Sequence, residues 1–195
     1  MDLKGKKIIL CSGSPRRREL LQGMRVDFTL DTDTSFQEHF AMNEPEPQKV
    51  PSLLAEGKSL GFHRPLEKDE ILITSDTLVI CDGKILGKPS GKEGAAAMLR
   101  TLSGKTHLVV TAVCLRSADR MKTCSDTARV TFKDLTEDEI EYYLTNYSPY
   151  DKAGSYGVQE WIGYIGIDRI DGSFYNVMGL PTSLVYEMLL EFIQY

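Results

Sequence analysis

The chain contains no CxxC pair and no cysteine spacing of the metal-binding kind. Its four cysteines, Cys11, Cys81, Cys114 and Cys124, are scattered, which reads as reduced thiols rather than a disulfide framework. Histidine is scarce too: His39, His63 and His107 form no ligand-like cluster, which argues against a zinc site. No apolar run approaches membrane-spanning length, and the start, Met1-Asp-Leu-Lys, lacks the apolar core of a signal peptide. Positive charge is also in deficit, with 23 Lys+Arg against 28 Asp+Glu and a net charge of −5. A nucleic-acid polymer, which needs a broad basic footprint, is therefore a poor fit. There is no internal repeat and no long low-complexity linker. These absences leave a cytoplasmic protein without a membrane partner, whose 195 residues suit one domain or a lobed unit around a cleft.

What is present reads as a mixture of strands and helices. The apolar run Ile8-Ile9-Leu10 ends in small residues and passes into a helix opened by Ser14 and Pro15. Residues from about Asp31 to Pro51, rich in proline and acids, read as a loop over the site or as a plain surface excursion. Val50 to Leu60 suits a helix with Leu53, Leu54 and Leu60 inward, weakened by Gly57. Ile71–Thr74 and Leu78–Ile80 read as strands broken at Ser75-Asp76, with Asp82-Gly83 as a hairpin turn before Ile85-Leu86. Ser90-Gly-Lys-Glu93 and Thr136-Glu-Asp-Glu139 both have capping-box spacing ahead of helices. Between those helices, His107–Leu115 and Thr123–Phe132 read as paired strands. A hairpin with Asp171-Gly172 at its tip and a last helix over Thr182–Ile193 complete the pattern. Strands and helices mix without strict alternation, so the expected class is α/β with a mixed, twisted sheet and flanking helices.

Charge placement then points to anion chemistry. Cys11-Ser-Gly-Ser-Pro-Arg-Arg-Arg18 sets a Ser12–Ser14 turn at a helix N-terminus, with Arg16 and Arg17 in a first turn where cations are unfavourable. A phosphate or polyphosphate held there would relieve the conflict; a solvated basic turn is the plainer reading. Asp76 lies between apolar runs and calls for a partner, a metal or a catalytic role, unless it merely ends a strand. Lys58 and Lys88 are cations that could serve it, or solvated surface charges. Asp151-Lys-Ala-Gly-Ser-Tyr-Gly-Val-Gln159 is either a plain loop or a base-reading one, because the amide of Gln159 both donates and accepts.

Six segments in order resemble the Maf family of nucleoside triphosphate pyrophosphatases. They are Ser12-Gly-Ser-Pro-Arg-Arg-Arg18, Ser75-Asp-Thr77, Ile85-Leu-Gly-Lys-Pro89, Met98-Leu-Arg-Thr-Leu-Ser-Gly-Lys-Thr-His107, Asp151 to Gln159, and Asn176-Val-Met-Gly-Leu-Pro181. The resemblance spans about residues 6–192, which makes 1–195 a single Maf-like domain. It implies a fold like that of inosine-triphosphate pyrophosphatases, with two lobes around a cleft, and a divalent cation, Mg²⁺ or Mn²⁺. It also implies Asp76 as catalytic base and metal ligand, and Arg16, Lys58 and Lys88 at the phosphates. Arg16, Thr77 and Gln159 match the set of the dTTP/UTP branch. Thr34 stands where many relatives carry a glutamate, so Glu38 or Asp33 is expected to supply that carboxylate, with Glu38 as the metal ligand.

The expected activity is hydrolysis of dTTP and UTP, or modified pyrimidine nucleotides, to the monophosphate and pyrophosphate. Ser12, Ser14, Arg16, Arg17, Lys58, Thr77, Lys88 and Gln159 would hold the small-molecule substrate, and a homodimer is left open as the assembly. The rivals are a 7-methyl-GTP or other purine pyrophosphatase and a cell-division regulator that binds a partner protein.

Overall fold

A computed structural model describes residues 2–41 and 44–194. Seven strands form one mixed sheet: β1 (Lys7–Leu10), β2 (Phe28–Leu30), β3 (Glu70–Cys81), β4 (Lys84–Leu86), β5 (Thr106–Arg116), β6 (Met121–Phe132) and β7 (Ile167–Asp171). The order is β2-β1-β3-β5-β6-β7, with β4 pairing with β3. β1 runs parallel to β2 and β3, whereas β3–β4, β3–β5, β5–β6 and β6–β7 are antiparallel. The helices are α1 (Pro15–Gly23), α2 (Val50–Leu60), α3 (Gly91–Leu102), α4 (Glu137–Tyr147), α5 (Trp161–Gly166), α6 (Phe174–Met178) and α7 (Thr182–Ile193). The mixed α/β class is as expected, and no helix among the described residues is long and apolar enough to cross a membrane.

The sheet buries both faces. Ile71, Ile73 and Val79 of β3 join the main core, with Leu99 and Leu102 of α3, Ile140 and Leu144 of α4, and Val185, Met188 and Leu189 of α7. On the opposite face, Leu78 and Ile80 pack with Val50 and Leu54 of α2. Ala55 meets Ala112 and Cys114, small residues that let the helix lie close to the strands.

Several elements depart from the sequence reading. β3 is one continuous strand, not two: Ser75 and Asp76 pair in register with Val113 and Ala112, because the neighbouring strand supplies partners that a local pattern does not reveal. α2 turns Leu53 and Leu60 outward, at 63% and 66% exposure, and buries Val50, Pro51, Leu54, Ala55 and Ser59 instead. Ser90 caps α3 by position but without a side-chain hydrogen bond, whereas the Thr136–Glu139 box is complete. Asp171-Gly172 is no hairpin tip; β7 pairs back onto β6, and the chain passes through Gly172, at φ +126°, into α6. Within the expected loop, Thr34 bridges Phe62 and Pro47–Lys49 forms a 3-10 turn; Met42 and Asn43 lie outside the described residues.

Candidate active site

β3 organises the site. One edge pairs with β5 from Leu72 to Ile80. The other pairs with β1 as far as Ile73 and with β4 from Val79 onward. Across residues 74–78 that second edge has no strand partner among the described residues, and a cleft of about 580 Å³ opens beside it, a size suited to a small molecule. Side chains alternate along a strand, so Asp76 and Thr77 leave on opposite faces. Both line the cleft, which therefore wraps around the open edge.

On the Asp76 face the charges interleave. Asp76, 8% exposed, pairs with the ammonium of Lys58 from the last turn of α2, and Lys58 Nζ lies 2.7 Å from Glu38 Oε1. Burial pushes the Glu38 carboxyl up, but the Lys58 hydrogen bond and charge, with Lys88 and Arg17 behind them, hold it below its usual value. Asp33 is placed elsewhere: its Oδ2 lies 4.0 Å from Nδ1 of His63, whose Nε2 is 2.9 Å from Asp31 Oδ2. Thr34 Oγ1 donates to the carbonyl of Lys58 at 3.2 Å and accepts from Phe36 N at 3.3 Å. It thus ties the loop to the very residue that Glu38 reaches. Lys88, just beyond β4, lines the same space.

At the start of α1, Ser14 is the N-cap and Pro15 the first helical residue; Ser12 Oγ accepts from Ser14 N at 3.3 Å. Successive helical residues project about 100° apart, and the two arginines diverge accordingly. Arg16 lies at the cleft margin, its Nη1 donating to Asp151 Oδ2 at 2.9 Å. Arg17 turns into the protein. Its Nε donates to Gly179 O, its Nη1 to Ser12 Oγ and Ser75 O, and its Nη2 to Thr77 Oγ1, at 2.8–3.2 Å. The sequence reading places Arg17 on substrate; Arg17 does line the cleft, and two of these four bonds, to Ser75 O and Thr77 Oγ1, tie it to β3. Burial lowers its pKa, opposed by Asp76.

Around Thr77 the lining is mostly apolar, with the Arg17 guanidinium donating to the hydroxyl of Thr77. Val79, Val109, Tyr156, Val177 and Met178 form this wall with Thr77 and Gln159. Gln159 Oε1 is buried without a hydrogen-bond partner.

The family model described as "Maf-like protein" matches residues 7–192. The chain belongs to the Maf family. It is 50% identical over 193 residues to a dTTP/UTP pyrophosphatase of Porphyromonas gingivalis, covering 98% of this chain and 96% of that one. A dTTP/UTP pyrophosphatase of Bacteroides thetaiotaomicron is 48% identical over 189 residues, 95% of each chain. One from Parabacteroides distasonis is 44% identical over 191 residues, 98% of each.

This Maf cleft also contains groups that the sequence reading did not single out. Lys152, 8% exposed, pairs with Asp151 Oδ1 at 2.9 Å and Glu160 Oε1 at 3.0 Å. Tyr143 donates to the other Glu160 oxygen and accepts from Gly157 N at 3.0 Å. Burial raises the Asp151 carboxyl, but hydrogen bonds from Lys152 and Arg16 overcome it and bring it down to about 2. The signal available was the adjacent Asp151-Lys152 pair within a glycine-rich stretch; the second carboxylate of Lys152, Glu160, lies eight residues further on.

Proposed function

We propose that this Maf protein hydrolyses dTTP and UTP to the nucleoside monophosphate and pyrophosphate. The observation that carries the reading is one cleft around the open edge of β3 that is lined both by cations with the carboxylates of Asp76 and Glu38 and by an apolar group, Val79, Val109, Val177 and Met178, with the Gln159 amide. A triphosphate suits the first and a flat, neutral base the second. The names of the relatives from Porphyromonas, Bacteroides and Parabacteroides supply the substrates.

In this reading Arg16, Lys88 and the Ser12–Ser14 turn hold the phosphate chain and offset the charge that develops on the leaving pyrophosphate. Asp76 orients a water on the α-phosphorus and takes its proton as the new P–O bond forms. The bond from the α-phosphorus to the bridging oxygen breaks, and that oxygen leaves with pyrophosphate. Lys58 positions Asp76 and Glu38. Two carboxylates together with substrate phosphates are a usual complement for Mg²⁺, and Asp76 and Glu38 meet that requirement, although no cluster of three His, Cys, Asp or Glu ligands occurs among the described residues. A divalent cation, Mg²⁺ or Mn²⁺, held there would lower the pKa of bound water and neutralise phosphate charge. Residues 1–195 then act as one catalytic domain on free nucleotide in the cytoplasm.

Pyrophosphate release measured side by side on dTTP, UTP, CTP, GTP, ITP and 7-methyl-GTP tests the reading. dTTP and UTP should be the fastest. A preference for 7-methyl-GTP would move the protein to another branch, and no release from any of them would favour a partner-binding role.

A further inference from the structure

We propose that Asp151 is a positioning residue that presets Arg16 for the triphosphate, with Lys152 and Glu160 holding Asp151 in turn. The inference rests on the reading of Arg16 as a phosphate ligand and names the group that aims it.

Each oxygen of the Asp151 carboxylate has its own cation. Oδ1 accepts from Lys152 Nζ and Oδ2 from Arg16 Nη1, both at 2.9 Å. Among the described residues this is the one side-chain hydrogen bond that Arg16 makes. A guanidinium carries several N–H donors in a rigid fork, so most of them stay available to a phosphate. An arginine fixed in advance also has less rotamer freedom to lose when the ligand arrives.

The arrangement behind Asp151 keeps its second oxygen free for Arg16. A buried ammonium with a single carboxylate beside it would draw on both oxygens. Glu160 gives Lys152 a second anion at 3.0 Å, and Tyr143 donates to the other Glu160 oxygen. The backbone is pinned as well: Gly154 N donates to Gly87 O at 3.2 Å, and a Cβ on Gly154, at φ +68°, would lie 3.0 Å from Val79. The Asp151 side chain itself is 55% exposed, and an exposed ion pair adds little to stability. What this pair supplies is direction.

The test measures kcat/KM for UTP by pyrophosphate release, with a melting curve, in Asp151→Asn, Arg16→Ala and the double variant. Asparagine has a single acceptor oxygen and cannot serve both cations. In Asp151→Asn, kcat/KM should fall by about 10- to 100-fold, the order that misplacing a binding group costs, and by no more than in Arg16→Ala. With Arg16 already replaced, Asp151→Asn should change nothing further. Glu160→Gln should act in the same direction, again only while Arg16 is present, and it reads the inference should Asp151→Asn not fold. A role in folding alone would lower the melting temperature and cost the same activity in both backgrounds, so an additive loss in the double variant overturns the inference. So does a lower KM in Asp151→Asn, which would make Asp151 a competitor of phosphate for Arg16. Wild-type kcat/KM in Asp151→Asn beside an impaired Arg16→Ala overturns the inference alone. Wild-type kcat/KM in Arg16→Ala overturns the phosphate reading of Arg16 and this inference with it.

Discussion

Asp76 occupies a place in the middle of a strand where a charge survives only with a partner, and Lys58 is that partner. Asp76→Asn keeps the shape and removes the base; turnover should drop by at least about 100-fold with an unchanged melting curve. Near-normal activity would take Asp76 out of the mechanism. Glu38 shares Lys58 with Asp76, whereas Asp33 faces His63. Glu38→Gln should therefore raise the metal concentration needed for half-maximal turnover more than Asp33→Asn does, and the reverse order in a metal titration would refute the assignment. The two arginines separate in the same way: Arg16→Ala should weaken substrate use by about 1.5–3 kcal/mol, the range for a hydrogen bond to a charged group. Arg17→Ala should instead lower stability, because it strips Ser75 O and Gly179 O of their donor. Asp76 could be picked out in the sequence, because a carboxylate between apolar runs stands out without any fold. The division of labour between Arg16 and Arg17 could not, because both sit in one basic run and only the packing of α1 decides which is buried against Ser12, Ser75, Thr77 and Gly179.

At the level of elements, the long-period patterns were readable and the helix phase was not. α7, α4 with its capping box, and the β5–β6 pair lie where their periodicity puts them. α2 does not bury the face its leucines suggest, because its close approach to the sheet selects Ala55 and Ser59 over the larger side chains of Leu53 and Leu60. Gly57 follows from the same approach. A Cβ there would come within 2.2 Å of the Phe36 ring, so the glycine admits the loop that carries Glu38. Gly57→Ala would gain about 1 kcal/mol from helix propensity. The displaced ring should nevertheless move Glu38 and lower kcat, so a variant with raised melting temperature and intact kcat would contradict this account of the loop.

For the molecule as a whole, His107 couples stability to pH. It is 2% exposed, its Nε2 lies 2.8 Å from Tyr156 Oη, and its ring stacks on Phe132. Burial drives its pKa down to about 4 from 6.5. The unfolded chain therefore binds a proton below about 6.5 that the native state refuses until about 4. Stability should decline as pH falls through that window, by up to about 1.4 kcal/mol per pH unit from this group. Urea midpoints between pH 7 and 4 should show the slope, and His107→Gln should flatten it; an unchanged slope would place its origin elsewhere.

The interruption along β3 has a consequence for self-association. An unpaired strand edge normally invites another chain to dock and propagate a sheet. Here the bare stretch, residues 74–78, is closed off by β1 at one end and β4 at the other. The Arg17 guanidinium already sits on the Ser75 carbonyl. An extended segment from a second molecule would have to end abruptly on both sides to enter, so pairing cannot grow beyond a few residues. The protein thus keeps a strip of open backbone in its interior for a compact ligand without offering a template for aggregation.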